Sequence, residues 1–425
     1  MGGTRVERVS AREIVDNRLE PTLRVTVETG GGTGRADVPC GRSRGKREVV
    51  DLRDGDDRYR GRGVRTAVSN VEDVIGPAIA GWDATDQRSI DQRLRELDGT
   101  SDLSSLGGNA VTGVSLAVLE AGASATDTPL YRYVGGLDAT VLPIPFFDLI
   151  EGGELAGGGL PFQEHQVVPV GASSFSEALR IAAEVYAELG DLLEAEYGEA
   201  SRNVGDEGGY VPIGMTDPRE AFDLEWRAIE RLGYESAFVL AADVAASHFY
   251  DDESGVYSLA GDELSREDLF AFYEELVDTY PVVSLEDPLH ENDLEGTAAL
   301  TDRLDVQIVG DDLFVTDPAR VQEGIDHGAA NALLLKVNQV GTVSEALDAA
   351  ALATRNGYAV QVSERSGQTP DTWLADLAVG VGSGQIKTGV TRGERTEQYN
   401  RLLEIEDELG DGATYGGAGA DPLRR

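Results

Sequence analysis

Lysine is nearly absent from this chain of 425 residues. Of its 36 basic residues only three are lysines, Lys46, Lys336 and Lys387, and the others are arginines. The chain also has too few basic residues to balance its 77 acidic ones, so its net charge is −41. Such a charge argues against binding to nucleic acid or to an anionic membrane surface. The acidic residues are spread along patterned segments, which indicates a solvated acidic surface suited to concentrated salt.

Cysteine and long apolar runs are scarce as well. Cys40 is the single cysteine, so an intrachain disulfide is excluded, as suits a reducing cytoplasm. No apolar run reaches the roughly eighteen residues that span a bilayer, and the first residues, MGGTRVERVS, lack the apolar stretch of a signal peptide. We therefore expect a cytoplasmic protein without a membrane anchor.

The hydrophobic pattern predicts two units of different architecture. Residues 22–28, TLRVTVE, alternate apolar and polar positions, as a half-buried strand does, and helical patterns occupy much of 64–135. We expect an α+β unit over residues 1–137. Two prolines in DATVLPIPFF, 138–147, predict a junction, and residues 138–425 form the second predicted unit.

In the second unit, six short apolar runs alternate with amphipathic helices such as 174–198. Nearly continuous apolar character is typical of parallel strands buried on both faces. In a closed parallel barrel the ends of such strands converge at one mouth, whereas an open doubly wound sheet scatters them along an edge. The spacing favours the barrel, a fold of the α/β class. Each run ends in a charged residue: Asp243, Glu286, Asp311, Lys336, Glu364 and Lys387.

Three of these residues predict a metal site. Asp243, Glu286 and Asp311 stand on consecutive strand ends, and three carboxylates held together repel one another unless a cation lies between them. Oxygen ligands without a neighbouring His or Cys favour Mg²⁺ over zinc. Each carboxylate taken singly could instead be the N-cap of the following helix.

Lys336 and Lys387 are predicted to face that metal. The charged form of a lysine beside a divalent cation is disfavoured, so its pKa falls and it can act as a base. Arginine stays protonated and cannot take that role. The scarcity of lysine therefore favours function over a buried ion pair, in which arginine would serve equally well. Lys46 has no comparable strand context.

Two further segments add candidate carboxylates. NVGDEGGY, 203–210, places Asp206 and Glu207 beside paired glycines, which let the backbone approach a ligand closely. PFQEHQVVPVG, 161–171, places Glu164 at the start of an apolar run. Taken alone, each of these carboxylates is more typical of a surface residue than of a catalytic one, and we interpret His165 as structural.

Eight motifs follow one another along the chain: VSLAVLEAGA, VGDEGG, SLEDP, GDDLFVT, LLLKVNQVGT, RSGQT, GQIKTG and YNRLLEIEDELGD. Together they resemble the enolase (phosphopyruvate hydratase) family over nearly the whole chain, and the chain looks like a divergent, haloarchaeal-type member of it. The resemblance implies a modified eight-stranded α/β barrel of the TIM type with an N-terminal α+β capping domain, and a homodimer or higher homo-oligomer. It also implies a Mg²⁺-dependent lyase that dehydrates 2-phosphoglycerate reversibly to phosphoenolpyruvate in glycolysis.

The same resemblance implies roles for matching residues. The three strand-end carboxylates would hold Mg²⁺, and Lys336 would take the proton next to the carboxylate of a small anionic phosphorylated acid. Glu207, with Glu164 beside it, would help the β-hydroxyl leave. Because a proton next to a carboxylate is very weakly acidic, metal charge must stabilise the dianion that forms.

Substrate binding follows from the resemblance in the same way. Lys387 would offset the charge of the metal-bound carboxylate, and Arg365 with Ser366 would bind the phosphate. Matching positions thus supply the base, the metal ligands and the phosphate contacts.

Other positions depart from the family. Enolases carry a mobile loop, SGAST, where this chain reads CGRSR, with Cys40, Arg42 and Arg44. The family's SHRSG reads SERSG, which places Glu364 where a histidine is expected. Its NGGxHA reads EGGELA, and we assign Glu154 to the place of the other histidine. If the loop closes as in enolases, we expect the two arginines to pair with the two glutamates, or to reach an extra carboxylate or phosphate of the substrate. The alternative is that they are solvated surface.

Two other functions remain open at this point. The chain could be a divergent lyase acting on a related anionic 2-substituted acid, or a catalytically silent relative that serves binding or structure. Retention of Lys336, Glu207 and the metal carboxylates disfavours the silent relative, since such a protein has no need of all of them.

Overall fold

The structure is a computed structural model that describes residues 3–42, 44–157 and 159–423, so Ser43 of the CGRSR segment lies outside it. The chain begins with an antiparallel three-stranded sheet in the order β1-β2-β3, and the long helix α4 packs on β2 and β3. The strands β1 to β3 are Val6–Val15, Pro21–Thr29 and Thr33–Asp37. The helices α1 to α5 are Arg65–Ser69, Gly76–Ile79, Gln87–Asp98, Gly108–Ala125 and Leu130–Gly135, with a π-helical stretch, Asn70–Ile75, between the first two.

The predicted half-buried strand of this first part is confirmed by its burial. In β2, Leu23, Val25 and Val27 are fully buried and alternate with partly exposed residues, as the half-buried strand requires. In α4 nearly every residue is buried. Small residues make this close packing feasible, because a Cβ at Gly113 would lie 2.7 Å from Val25 Cγ2 of the sheet.

The strands β4 to β16 are Val141–Leu142, Ile144–Glu151, Glu164–Val168, Val239–Asp243, Tyr250–Asp251, Val256–Leu259, Asp262–Leu264, Val282–Glu286, Gln307–Gly310, Ala332–Leu335, Ala359–Ser363, Gly384–Lys387 and Thr414–Tyr415. Eight of them close into a barrel in the order β11-β12-β13-β14-β15-β5-β6-β7. The strand β6 runs antiparallel to both its neighbours, and every other neighbouring pair is parallel.

Helices alternate with these strands and cover the barrel. The six apolar runs singled out in the sequence are all barrel strands, which confirms that prediction. The helices α6 to α14 are Phe175–Tyr197, Pro218–Leu232, Arg266–Thr279, Leu294–Arg303, Pro318–His327, Val337–Val340, Val343–Arg355, Trp373–Val381 and Gly393–Leu409.

The predicted junction over 138–147 was wrong in its second half. From Ile144 onward the chain forms β5, a barrel strand in which every residue is buried, and Pro145 lies opposite Ile386. A strand buried on both faces shows no alternation, so its proline looked like a break in the sequence. The division between units at residue 137 stays a prediction.

The segment after β3 lies on the barrel mouth. Cys40 and Gly367 exchange two backbone hydrogen bonds, at 2.8 and 2.9 Å, and Asn338 Nδ2 donates to the carbonyl of Pro39 at 3.1 Å. Burial raises the pKa of the Cys40 thiol to about 11, with help from Asp51. In the part of the chain described here, no helix combines the length and apolar character that crossing a membrane requires.

Candidate active site

One cavity lies at the carboxyl ends of the barrel strands. Each of the six charged residues predicted at strand ends is the last residue of a strand or follows one directly. Leu155, Gln163 and Ser363 also contribute to the cavity wall, and the sequence had not identified them. The predicted site residues that line the cavity are Glu164, Glu207, Asp243, Asp311, Lys336, Glu364, Arg365, Ser366 and Lys387.

Lys387 is the central cation of the site. Its Nζ lies 2.7 Å from Glu286 Oε2, 3.0 Å from Asp243 Oδ2 and 3.3 Å from Glu164 Oε1. Burial works to lower the pKa of this lysine, but the surrounding carboxylates outweigh it and raise the pKa well above its ordinary value. One ammonium group therefore holds carboxylates from three different strands together.

Lys336 is paired with a single carboxylate. Its Nζ donates to Asp311 Oδ2 at 2.6 Å, and Gln339 Nε2 donates to Asp311 Oδ1 at 2.7 Å. Burial acts to lower the pKa of Lys336, but Asp311 more than compensates and the pKa is raised. We predicted a lowered pKa from the charge of a bound cation, and the protein charges alone act in the opposite direction.

The carboxylates provide oxygen atoms for a metal. Within residues 3–42, 44–157 and 159–423, two groups bring one oxygen from each of three carboxylates within 4.8 Å of one another. Asp311 belongs to one of them, whereas Asp243 and Glu286, which both contact Lys387 Nζ, belong to neither. The groups are Asp148 with Glu164 and Glu207, and Asp287 with Asp311 and Asp312.

The predicted ligand set nevertheless fits a hard cation. Among the described residues Glu286 Oε1 is buried without a hydrogen-bond partner, so it is available as a ligand. Asp243 Oδ2 is fixed by Gln163 Nε2 at 2.9 Å. Burial and then Asp243 raise the pKa of Glu286 well above its ordinary value, although Lys387 opposes them. A divalent cation among these oxygens would relieve the repulsion.

Glu164 and Glu207 lie together on the side of β6. Gln166 Nε2 donates to Glu164 Oε2 at 2.6 Å, and burial raises the pKa of Glu164 to about 8, with Glu207 contributing and Lys387 opposing. Asp148, which the sequence analysis missed, is fully buried beside them. Its position in the otherwise apolar run FFDLI could have identified it, because burying a single charged side chain costs free energy unless a partner compensates it.

The residues expected to bind phosphate contact the segment after β3. Both Nη atoms of Arg365 donate to the Glu48 carboxylate, and Arg365 Nη1 also donates to Asn338 Oδ1 at 3.1 Å. The backbone N–H of Arg42 donates to Ser366 Oγ at 2.8 Å. Glu48 was not predicted as a site residue, because only the tertiary fold brings it to the barrel.

The predicted pairing of the loop arginines with the two glutamates was wrong for the described residues. Arg42 forms an ion pair with Asp206 at 3.0 Å and reaches only the backbone carbonyl of Glu154. Arg44 pairs with Glu48 and Asp51, each at 3.3 Å.

Glu364 is instead paired with a residue of its own unit. Arg395 Nη1 contacts Glu364 Oε2, and both side chains are buried. Thr388 Oγ1 donates to the same oxygen at 3.1 Å. Arg395 belongs to α14, so the counter-charge of Glu364 comes from a helix of the barrel part and not from the loop arginines.

The assignment of Glu154 to a histidine position also needs correction. Glu154 is exposed and is not among the residues of the cavity wall, whereas Leu155 is 3% exposed and lines the cavity. Counting along EGGELA places Leu155, not Glu154, at the fifth position of the motif, where NGGxHA has histidine. The site therefore has an apolar side chain at that place.

Comparisons with known proteins agree on one family. Residues 6–134 match the family model described as enolase, N-terminal domain, and residues 139–422 match enolase, C-terminal TIM barrel domain. The chain is similar to the enolase of Methanopyrus kandleri, with 56% identity over 418 residues, 97% of this chain and 98% of that protein. It is also similar to the enolase of Methanocaldococcus jannaschii, with 53% identity over 407 residues, 95% of this chain and 96% of that protein.

Proposed function

Since this chain belongs to the enolase family, and is therefore a lyase, we propose that the residues at its barrel mouth dehydrate 2-phosphoglycerate reversibly to phosphoenolpyruvate, with Mg²⁺ as cofactor. The observation that supports these roles most strongly is the contact of Lys336 with Asp311 in the cavity that Glu207 and Lys387 also line. We further propose that the protein acts in glycolysis, as a homodimer or higher homo-oligomer, in a salt-rich cytoplasm that its net charge of −41 suits.

Asp243, Glu286 and Asp311 are the proposed Mg²⁺ ligands. When bound, Mg²⁺ supplies positive charge that stabilises the dianion of the reaction and disfavours the protonated form of nearby lysines. Lys387 contributes a fixed positive charge next to two of these carboxylates, Asp243 and Glu286. These charges act in a buried cavity, where they are weakly screened and therefore effective.

The remaining steps belong to side chains of the cavity. Lys336 Nζ takes the proton from the carbon next to the substrate carboxylate, and its contact with Asp311 fixes where that nitrogen lies. Glu207, with Glu164 beside it, binds the β-hydroxyl and helps it leave. Arg365 and Ser366 bind the phosphate, which holds the substrate with its reacting carbon near Lys336.

The test is a continuous assay of phosphoenolpyruvate formation from 2-phosphoglycerate in molar KCl. We expect turnover that requires Mg²⁺ and is lost when Mg²⁺ is chelated. Isothermal titration with Mg²⁺ should show binding that Asp243→Asn and Glu286→Gln each weaken. Absence of turnover together with normal Mg²⁺ binding would contradict the choice of substrate.

Two replaced positions support a second candidate, a lyase for a related anionic 2-substituted acid. Glu364 and Leu155 both line the cavity, one as an acidic and one as an apolar group where the family motifs have histidine. Both changes reduce the positive charge available to a phosphate. Comparing kcat/KM for 2-phosphoglycerate with that for 2-substituted acids without phosphate separates the two candidates.

A further inference from the structure

The contact of Lys336 with Asp311 is supported from the far side of the carboxylate. A lysine side chain is a flexible four-carbon stem, so Asp311 can fix the position of its nitrogen only if the carboxylate is itself fixed. Lys336 Nζ donates to Asp311 Oδ2 at 2.6 Å, and Gln339 Nε2 donates to Asp311 Oδ1 at 2.7 Å. Each oxygen of Asp311 therefore has its own donor, and Gln339 determines how the carboxylate is turned toward Lys336.

Thr316 holds the other end of the Gln339 amide. Its hydroxyl donates to Gln339 Oε1 at 2.7 Å and accepts from the backbone N–H of Lys336 at 2.9 Å. The Leu334 carbonyl lies 3.3 Å from Thr316 Oγ1, but a hydroxyl has one proton and the shorter contact takes it. Because an ionised carboxylate only accepts, Gln339 must turn Nε2 toward Asp311 and Oε1 toward Thr316.

These contacts close a ring of four residues, which we call the Lys336 ring. It starts at the backbone N–H of Lys336, passes through Thr316, Gln339 and Asp311, and returns to Nζ of the same lysine. Thr316 and Gln339 are 0% and 1% exposed, and neither is among the residues of the cavity wall. The part of the ring that they form lies behind the wall, where water does not compete for its hydrogen bonds.

The backbone at Thr316 is strained where it joins the ring. Val315 and Thr316 are both β-branched, yet their φ angles are positive, 44° and 57°. Such residues rarely adopt this conformation, which costs free energy and persists only where surrounding contacts hold it. The turn begins at Asp311, whose carbonyl accepts from the N–H of Val315 at 2.7 Å, and it ends with Thr316 Oγ1 against the N–H of Lys336.

We propose that Thr316 and Gln339 are positioning residues, which hold Lys336 Nζ at the place from which it takes the α-proton. This inference rests on the proposed function. Since neither residue lines the cavity, both act through Asp311 and Lys336 rather than on the substrate. Proton transfer depends closely on the distance and direction between the nitrogen and the C–H bond, so a displaced Nζ slows that step while substrate binding is retained.

The test removes the hydroxyl of Thr316 and keeps the shape of its side chain. Thr316→Val keeps the β-branch without the hydroxyl, and Thr316→Ser keeps the hydroxyl. At saturating Mg²⁺, Thr316→Val should lower kcat for 2-phosphoglycerate and the exchange of its α-proton with deuterium oxide by the same factor, about 10- to 100-fold. KM should change less than about 3-fold, because the contacts to phosphate are retained. Thr316→Ser should restore both rates to within about 3-fold of wild type.

Thr301→Val is the matched control. Thr301 Oγ1 accepts from the N–H of Ala330 at 3.0 Å and donates to the carbonyl of Thr297 at 2.7 Å, so its removal costs contacts of the same kind. Thr301 lies in α9 and is not part of the cavity wall. Below the Tm of every variant, Thr301→Val should therefore leave kcat and α-proton exchange unchanged.

Gln339→Met opens the ring at a second point, in the helix α11, where the backbone has no positive φ at this residue. It should reproduce the loss of both rates. The double variant with Thr316→Val should lose little more than the larger single loss, because one break already opens the ring. If Thr316→Val does not fold, Gln339→Met gives the same comparison with Thr301→Val.

Unchanged rates in both ring variants, an equal loss in Thr301→Val, or no recovery in Thr316→Ser would overturn the inference. A wild-type protein that neither exchanges the α-proton nor dehydrates 2-phosphoglycerate would overturn the proposed function instead.

Discussion

The carboxylate of Glu48 accepts hydrogen bonds from both Nη atoms of Arg365, at 2.9 and 3.0 Å, although the two residues lie 317 positions apart in the chain. Both side chains are almost completely buried, at 2% and 3% exposure. Paired N–H donors in this fork geometry suit a phosphate as well as a carboxylate. Glu48 therefore binds the same guanidinium group that we propose as a phosphate ligand.

Glu48→Gln should make the protein less stable and more responsive to phosphate. Removing one partner of a buried ion pair leaves an uncompensated charge and costs about 3–5 kcal/mol of unfolding free energy. Inorganic phosphate should restore part of that loss by binding Arg365. The measurement is Tm in molar KCl with and without phosphate. Asp348→Asn, at an exposed ion pair with Arg88, should change unfolding free energy by at most about 1 kcal/mol. An equal phosphate effect in wild type and Glu48→Gln would contradict this prediction.

Lys336→Arg should abolish turnover while the protein still folds. Arginine keeps the ion pair with Asp311 but cannot accept a proton at working pH. We expect kcat to fall at least about 100-fold and α-proton exchange to disappear with it. Circular dichroism and thermal unfolding check the fold. Full activity in this variant would show that another residue is the base.

Lys387→Met should destabilise the fold, unlike the same change at Lys46. Lys387 is 3% exposed and holds three carboxylates, so its loss leaves buried negative charges without a counter-charge and costs about 3–5 kcal/mol. Lys46 is 66% exposed in its ion pair with Glu291, and its replacement should cost at most about 1 kcal/mol. Denaturant unfolding in molar KCl measures both, and similar small losses would contradict the central role of Lys387.

His165 should make the fold less stable as the pH falls. Burial lowers the pKa of His165 from 6.5 to about 4, while its contact with the Ile150 carbonyl opposes this. Between these values the unfolded chain takes up a proton that the folded chain does not, so the contribution of His165 is complete above pH 6.5 and is lost toward pH 4. The loss is at most about 3 kcal/mol.

His165→Phe keeps an aromatic ring beside Phe162 and removes the titrating group. Unfolding free energies of both proteins, measured at pH 7 and pH 5, should show a smaller acid-induced loss in the variant. The two proteins must be compared, because buried carboxyl groups whose pKa is raised make the fold more stable as the pH falls and so oppose the effect of His165. Identical pH dependence in both proteins would contradict the assignment.

The sequence by itself determined the barrel and the residues at its mouth. Continuous apolar runs of strand length, spaced by one helix and each ending in a charge, specify buried parallel strands whose ends must converge. This information is local, because the continuous apolar character of each run already indicates that both faces of its strand are buried. It was enough to place Asp243, Lys336 and Lys387 at one cavity.

Only the tertiary structure decided which charges pair within that cavity. Glu364 is neutralised by Arg395 rather than by a loop arginine, and Arg365 by Glu48, because helix α14 and the segment after β3 reach the mouth from outside the strand pattern. The same holds for the pKa of Lys336, which is raised because Asp311 lies 2.6 Å away. The electrostatic interactions that set these pKa values depend on the distances between charges from distant parts of the chain. The arrangement of strands and loops decides those distances, and no local sequence pattern encodes them.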